Sequence, residues 1–447
     1  MTRCGRRSIV SAIAGLCLLA AQVAADSRPP KLPTLWDISL GTGEQVPTGF
    51  VGAGARGIAM GGAAIAGVHD GTALFWNPAA LTRVPRLELL GGLAYLRPEA
   101  TAQVHDLTSG AAVEFTRLNA AVLTAPYPVY RGAFVIAAGV ARPNDYGYRA
   151  ERHGVFNLGG KDYLLDDKVR QDGGLSQYAI GMGTELSPTV SLGLSAVWYH
   201  GGVNIRRDAT LLDQAAVSLP DSFGGHYRQS ADVDGVMLTI GTTARLPLGF
   251  YLGAVVTPPV KYSFHGTWSD AYEEAEGSQV YTYDEETRTL RYKIRAPWQL
   301  GLGLSWISYA LTLSADVQYA DWRQAHFDGA PFAAASGVEP ATYFEDHYRR
   351  TFRWHAGGEL LLPFVQTYVR GGAMYDPDPF AGPTLESGAA VTHPKDAWLY
   401  SAGVGWLIDK VLTVDVAYVT GGDRYTAGPL TETRQGRRAF VTTAFRF

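Results

Sequence analysis

Three glycines near the start of the chain have the spacing of a nucleotide-binding loop. Gly52, Gly54 and Gly57 match the G-x-G-x-x-G pattern, which lets backbone N–H groups approach a pyrophosphate. That chemistry requires a strand before the loop and a βαβ unit around it, and the sequence predicts neither here. We therefore expect these glycines to serve close packing of the chain, and we predict no cofactor.

Histidine and serine are the next candidates, for acid–base and nucleophilic chemistry. The ten histidines are scattered, none forms a helical ligand pair, and no Gly-x-Ser-x-Gly turn occurs. The remaining alternative is a serine–histidine pair assembled across strands, for which His200 and His355 are candidates by elimination. The sequence thus predicts no metal site and no catalytic residue, and we expect a protein that is not an enzyme.

Arginines within predicted strands form the third group, and their chemistry is the binding of carboxylates, which the planar guanidinium suits geometrically. Candidate carboxylate partners, on the polar faces of their strands, are Arg291, Arg295, Arg353 and Arg370. The alternative is that they pair with acidic residues of the other strands and hold the hatch, because buried charges need partners. Whether these arginines bind a ligand carboxylate or acids of the protein depends on the secondary-structure elements that carry them.

The segments that carry these residues alternate apolar and polar side chains with a period of two, which is typical of β-strands. In 311–319, Leu311 and Leu313 alternate with Thr312 and Ser314. In 291–306 the even-numbered residues are apolar, and the odd-numbered ones are polar, charged, glycine or proline. Strands of about ten residues that end in aromatic side chains, such as Trp398 and Trp406, indicate an apolar face turned to lipid and a polar face turned to a lumen.

Short and long connections alternate between the predicted strands, as in outer-membrane barrels with short periplasmic turns and long outer loops. The last strand ends at Phe447, a terminal aromatic residue of the kind that the barrel assembly machinery is expected to read. We predict an all-β fold, a transmembrane antiparallel barrel of about 14 strands. The predicted strands are 87–98, 113–124, 132–142, 176–186, 190–200, 232–245, 249–264, 289–306, 310–321, 349–362, 366–376, 397–407, 411–420 and 437–447.

The first residues predict export. Three arginines precede the apolar run 9–21 and the small residues of 23–25, which is the pattern of a secretory signal peptide over 1–25. Both cysteines, Cys4 and Cys17, lie within it, so the mature chain has no thiol chemistry. Removing its three arginines from 38 basic residues leaves 35 against 42 acidic ones, a formal net charge of −7. Nucleic-acid binding is therefore not expected.

Residues 26–86 do not follow the strand pattern, and we assign them to an N-terminal hatch inside a barrel of 87–447. The segment is rich in small residues, which suit tight packing in a lumen, and is too short for a core of its own. A disordered periplasmic leader is the alternative, and the apolar content of the segment argues against it. Phe75 and Trp76 are candidates either for lining an apolar pocket or for simple packing of the hatch against the wall.

Several motifs resemble one family. The run from Asp70 to Leu81 (DGTALFWNPAAL), preceded by Gly54-Ala-Arg-Gly57 and Met60-Gly-Gly-Ala63, is similar to the hatch of the long-chain fatty-acid transporter family (FadL type). The resemblance implies a 14-stranded barrel with a hatch and the passive uptake of fatty acids or hydrocarbons. It also implies a lateral opening at a kink of the third strand, 132–142. The implied binding or gating residues are Asn77, Pro78 and Ala79 of the hatch, with Pro143, Asn144 and Tyr146 after the third strand.

The favoured function is therefore a channel of the bacterial outer membrane for small hydrophobic molecules. We expect a monomer whose partners are that ligand, outer-membrane lipid and, during biogenesis, the barrel assembly machinery. The alternative is a structural or adaptor barrel of the same fold without transport, which would lack an apolar cavity near the third strand. A general polar porin fits less well, because a hatch would block its lumen.

Overall fold

A computed structural model of the chain describes residues 52–158, 161–213, 222–276, 279–328, 341–381, 391–392, 396–427 and 430–447. The predicted signal peptide and the first half of the predicted hatch lie outside these residues. None of the helices in the described ranges has both the length and the apolar character to cross a membrane.

The strands account for most of the described chain. In chain order they are β1 (Glu88–Val104), β2 (Leu107–Ala112), β3 (Phe115–Tyr127), β4 (Phe134–Asp145), β5 (Tyr148–Leu158), β6 (Lys161–Ser187), β7 (Val190–Asp213), β8 (Ser222–Arg245), β9 (Phe250–Thr257), β10 (Lys261–Glu276), β11 (Gln279–Arg295), β12 (Gln299–Ile307), β13 (Leu311–Asp321), β14 (His326–Phe327), β15 (Arg350–Leu362), β16 (Thr367–Asp376), β17 (Val391–Thr392), β18 (Ala397–Ile408), β19 (Leu412–Ala427) and β20 (Leu430–Arg446).

These segments form a closed antiparallel barrel, which confirms the predicted fold. β1 pairs with β3 on one side and with β20 on the other, so the sheet closes on itself. β9 and β10 both pair with β8 and form one barrel strand interrupted at 258–260. β11 and β12 likewise form one strand interrupted at 296–298. Counted in this way, the described chain supplies 14 barrel strands, and β2, β5, β14 and β17 are additions at one end.

The outward faces show where lipid contacts the barrel. Apolar side chains are exposed along the segments next to the short turns, for example Leu300, Leu302 and Leu304 on β12, and they alternate with buried glycine and serine. Such a band is stable only against hydrocarbon, because water would penalise a continuous apolar belt. Beyond the band β6, β7 and β8 extend as long strands with charged outward faces, which places this end outside the membrane.

The break at 296–298 corrects the expected face of one segment. Residues 291–306 do not keep one apolar face, because Tyr292 and Ile294 are buried in the lumen whereas Leu300 and Leu302 face out. Pro297 lies in this break, and a proline cannot donate to a sheet ladder and is tolerated at such interruptions. Consequently Arg291 and Arg295 lie on the outside of the barrel, and the expectation that they line the lumen is wrong.

The hatch begins the described chain and packs inside the barrel. It contains two short helices, α1 (Ala55–Ala59) and α2 (Ala73–Trp76), and a 3-10 helix, Pro78–Arg83. Most of its residues are buried, among them many alanines and glycines that give it little volume. Further helical segments lie near the strand ends, namely 3-10 turns at Pro247–Gly249 and Trp322–Gln324 and helix α3 (Tyr343–His347).

Candidate functional site

The hatch is held together by tight packing of its own residues. The Trp76 indole Nε1 donates a hydrogen bond to the carbonyl of Ala53 over 3.0 Å, and the ring lies against Gly52. A Cβ atom at Gly52 would lie 2.2 Å from that ring, and the residue has a φ of +108°. The N-terminal glycines therefore serve packing and turning of the chain, as the sequence predicts.

Three glycines in the barrel wall receive the Asn77–Ala79 segment. Gly183 on β6, Gly193 on β7 and Gly241 on β8 are direct cross-strand partners, so they form one flat row, which we call the glycine row. A Cβ atom would lie 2.7 Å from Pro78 at Gly183, 2.2 Å from Pro78 and Ala79 at Gly193, and 2.1 Å from the Asn77 Oδ1 at Gly241. Only glycine admits the hatch backbone at this distance from the sheet.

Asn77 fixes this contact with hydrogen bonds. Its side chain is fully buried, and its Nδ2 donates to the carbonyls of Ile65 at 2.8 Å and Thr242 at 3.1 Å. Its Oδ1 accepts a hydrogen bond from the Ala79 N–H and thereby caps the 3-10 helix. These contacts lie on the fourth to sixth barrel strands, not at the third-strand kink that the resemblance implies. The position of Asn77 therefore favours anchoring of the hatch, and its gating role stays a prediction.

A second anchor is a chain of buried charges between the hatch and the wall. The Arg56 guanidinium donates to both Glu359 carboxylate oxygens, at 2.9 and 3.0 Å. Arg370 donates to Glu359 at 2.7 Å and to Asp415 at 2.6 Å, so two arginines alternate with two carboxylates. Arg353 pairs with Asp376 at 2.7 Å. For Arg353 and Arg370 the geometry therefore favours the alternative that these arginines neutralise acids of the protein.

The third barrel strand separates from the second after Ala141. β4 pairs with β3 only from Phe134 to Ala141, and its pairing with β6 shifts register between Ala141 and Asn144, around Pro143. Beyond that point Arg117 on β3 reaches Asp145 on β4 through an ion pair of 2.7 Å. The two strands are thus joined by side chains, not by a backbone ladder, at the place where the kink is expected.

A cavity of about 450 Å³ lies directly inside this separation. Pro143, Asn144 and Tyr146, predicted from the resemblance, all line it, and Gly52 of the hatch lies at its boundary. Its remaining walls combine apolar side chains, including Phe115 and Phe440, with arginines and with acids such as Asp376. Arg438 is one of these, and its Nη1 atom has no hydrogen-bond partner among the described residues. The cavity is therefore amphipathic and adjoins both the hatch and the third strand.

Aromatic rings connect this cavity with the far side of the lumen. Phe264 and Tyr292 stack with ring centroids 4.6 Å apart, and Phe327 follows at 6.0 Å from Tyr292. Phe344 of α3 lies 5.0 Å from Phe327 and 4.7 Å from Tyr348, which in turn lies 5.4 Å from Phe380. Tyr348 and Phe380 both line the cavity. These rings, which we call the aromatic array, are buried or partly buried and form a continuous packed apolar cluster across the interior.

Above the cavity, the strand extensions are tied by buried ion pairs. Arg152 on β5 donates to Asp167 at 2.7 Å and to Glu432 at 2.8 Å, and Arg207 donates to Asp167 at 2.6 Å. Burial alone would raise the pKa of Asp167, but Arg207 and Arg152 more than offset it and lower that pKa. Burial likewise opposes ionisation of Glu432, and Arg434 and Arg152 nevertheless hold its pKa well below the usual range. This network, which we call the rim network, lies outside the membrane.

Sequence reasoning missed several of these residues. The glycine row could have been noticed, because Gly183, Gly193 and Gly241 each lie within a predicted strand. Arg117 lies in the predicted strand 113–124, whereas Asp145 lies three residues beyond the predicted end of the third strand, and their pairing depends on the break after Ala141. Phe75 lies partly buried against the main core, and Trp76 is packed within the hatch. Lining of a ligand pocket by these two stays a prediction.

Comparison with known proteins gives a family and a fold. A family model described as outer membrane protein transport protein (OMPP1/FadL/TodX) matches residues 42–435.

The toluene transporter TodX of Pseudomonas putida is 16% identical, with a TM-score of 0.59 over 89% of this chain and 99% of that one. A FadL homologue of Pseudomonas aeruginosa is 14% identical, with a TM-score of 0.59 over 90% and 99%. The toluene transporter TbuX of Ralstonia pickettii is 15% identical, with a TM-score of 0.54 over 89% and 99%. No curated protein matches the sequence. At these identities the structural neighbours show a shared fold.

Proposed function

Because the chain belongs to the outer membrane protein transport family (OMPP1/FadL/TodX) of the bacterial outer membrane, we propose that it is a channel for passive uptake of small hydrophobic compounds. One observation carries the proposal. The cavity lies between the hatch and the point where β4 leaves β3, so a ligand inside it is next to the one interruption of pairing between these strands. An adaptor barrel has no need for this arrangement.

The proposed route begins in the outer lumen. A hydrophobic molecule gains free energy when it leaves water for the aromatic array, at about 25 cal/mol for each Å² of apolar surface it buries. The array ends at Tyr348 and Phe380 in the cavity wall, so the ligand reaches the cavity without returning to water. Diffusion down a concentration gradient then suffices, and no energy source is required.

The proposed exit is lateral, between β3 and β4. The hatch opposes passage straight through the barrel, because its backbone rests on the glycine row with no space between. The wall at Arg117 and Asp145 is closed only by side chains, which rotate far faster than a strand ladder opens. A ligand that leaves here enters the lipid, where an apolar molecule is most stable.

Long-chain fatty acids and hydrocarbons both suit the route, and the cavity contains a group that discriminates between them. The Nη1 atom of Arg438 has no partner among the described residues, and a guanidinium binds a carboxylate favourably. Replacing Arg438 by leucine should slow uptake of a fatty acid and leave uptake of toluene unchanged. An equal effect on both compounds would show that Arg438 serves the shape of the cavity and not ligand recognition.

The central test compares two deletions. β4 carries one residue more than β6 between their paired positions, so deleting Pro143 should restore a continuous β4–β6 ladder. An unbroken β4 should then continue alongside β3 beyond Ala141 and close the wall. A matched control deletes Leu186, the extra residue at the register shift between β6 and β7 near a short turn. Uptake of labelled oleate and of toluene is measured in proteoliposomes, with heat-modifiable migration on gels as the check of folding.

The channel proposal expects native uptake for the Leu186 deletion and the protein-free rate for the Pro143 deletion. Native uptake by both deletions would overturn the lateral exit and leave transport intact. A correctly folded native protein that accelerates neither compound would overturn transport and favour the adaptor alternative.

A further inference from the structure

Four basic side chains lie together on the outside of the barrel wall. Because Tyr292 and Ile294 face the lumen, Arg291, Lys293 and Arg295 of β11 face out. Lys261 on β10 faces out beside them as the direct cross-strand partner of Arg295. We call these four residues the basic patch.

The basic patch lies at the upper edge of the lipid-facing band. Val236 on β8, the cross-strand partner of Lys261, is 65% exposed, and Leu238 and Ile240 continue the apolar face towards the short turns. On the barrel strand that carries Arg295, Trp298 is 52% exposed and follows Arg295 by three residues. Aromatic side chains mark the interface between hydrocarbon and headgroups. The cations therefore begin at the height of the lipid headgroups of the outer leaflet.

The charges of the patch are balanced only in part by the described protein around it. Like charges directly opposite each other on neighbouring strands are destabilising, which is the case for Lys261 and Arg295. Asp328 forms an ion pair with Lys261 and also attracts Lys293 and Arg295, so one described carboxylate faces three of the four cations. The nearest acids on β8 are Asp232 and Asp234, which lie one strand beyond β10. Asp234 is already paired with His200 at 2.8 Å.

We propose that the basic patch binds the phosphate groups of an outer-leaflet lipid headgroup. A phosphate accepts several charge-assisted hydrogen bonds, and arginine and lysine at neighbouring positions are suited to provide them. The acyl chains of the same lipid would lie against Leu238, Ile240 and Leu300, below the patch. This inference is independent of ligand transport, because it concerns the outer face of the wall.

A second row of cations provides a matched control. Arg170, Arg206 and Arg228 are cross-strand partners on β6, β7 and β8, and they are also exposed on the outer face. Arg228 precedes Val236 by eight residues, which at about 3.3 Å per residue places this row about 25 Å farther along the strands. It therefore resembles the patch in charge and pairing, but lies beyond the reach of headgroup phosphates.

The experiment measures retention of lipid A, which carries two phosphates, by detergent-solubilised full-length protein in native mass spectrometry. The patch variant is K261Q/R291Q/R295Q, the control is R170Q/R206Q/R228Q, and K261R/R291K/R295K keeps the charge. We expect the patch variant to bind lipid A about tenfold or more weakly and the other two to bind it as the native protein does. Phosphatidylcholine, whose headgroup carries no net charge, should bind all four proteins equally.

Two results would overturn the proposal. One is unchanged lipid A binding by a patch variant that retains heat-modifiable migration. The other is an equal loss in the patch variant and the control row, since this would indicate general attraction to positive charge. If the patch variant does not fold, the single variant R295Q replaces it, and its lipid A binding must fall below that of R206Q.

Discussion

A methyl group at Gly193 tests whether the barrel wall holds the hatch in place. The Cβ atom of an alanine there would lie 2.2 Å from Ala79 N and Pro78 C, which are backbone atoms and cannot rotate away. Ordinary contact begins at 3.4 Å, so the hatch or β7 must move by about 1.2 Å. Overpacking of this kind costs about 1–3 kcal/mol in close-packed interiors. Because Asn77 and Gly241 belong to the same contact, we expect the whole segment to be displaced.

The assay is hydrogen exchange of the hatch peptides, read by mass spectrometry on protein in lipid nanodiscs. Gly193→Ala should speed exchange of the peptides covering 73–83 by about tenfold or more, the factor that about 1.4 kcal/mol of local destabilisation produces. Gly371→Ala is the control, because the nearest atom to its Cβ is 3.9 Å away. Equal protection of the hatch in both variants would refute the view that the glycine row fixes it.

Three further predictions follow from the anchors and the rim network. Asn77→Ala should destabilise the folded protein by about 1–3 kcal/mol in urea, because two buried carbonyls lose their donor; an unchanged midpoint would contradict this. Arg370→Leu should cost about 3–5 kcal/mol and leave the uptake ratio of fatty acid to toluene unchanged, since the residue pairs with acids of the protein; a changed ratio would indicate ligand contact. The lowered pKa values of Asp167 and Glu432 mean that their stabilisation is fully present above the unfolded pKa values of about 4 and is lost as the pH falls through the folded ones. The urea midpoint should therefore be level from pH 7 to about 5 and fall below about pH 4, and Arg152→Met should flatten that fall.

The alternation of side chains was sufficient to predict the barrel because lipid and lumen impose opposite requirements on successive residues. On β13, Leu313 meets lipid while Ser314 meets the hatch, and a shift by one residue would reverse both. This constraint holds along the membrane band of every strand. It weakens outside the membrane, where the outer face meets water, and there the sequence could not reveal the break after Arg295. The predicted lumen-facing orientation of Arg291 and Arg295 was therefore wrong, although the strand that carries them was predicted correctly.

The residues of the candidate site were harder to predict because their contacts are distant in sequence. Pro143, Asn144 and Tyr146 were reached through resemblance, and all three line the cavity. The partners of Arg353 and Arg370 lie on neighbouring strands, so choosing between ligand and protein carboxylates required the register of β15, β16 and β19. Nothing in the sequence distinguishes Arg438 from other arginines on alternating strands, because its role depends on the residues around it in the folded barrel.

The contacts of the hatch bear on the route of any ligand. The wall at Gly183 and Gly193 touches hatch backbone, and Asn77 bonds to the β8 carbonyl of Thr242. Moving the hatch out of the barrel would therefore leave buried backbone groups without partners, at about 1–3 kcal/mol for each group. At the third strand, by contrast, opening requires the separation of Arg117 from Asp145 and from the Arg142 carbonyl, and water or lipid phosphates can solvate the charged groups. Opening the wall thus costs less than removing the hatch, and this difference is the physical reason to expect lateral exit from a barrel whose hatch stays in place.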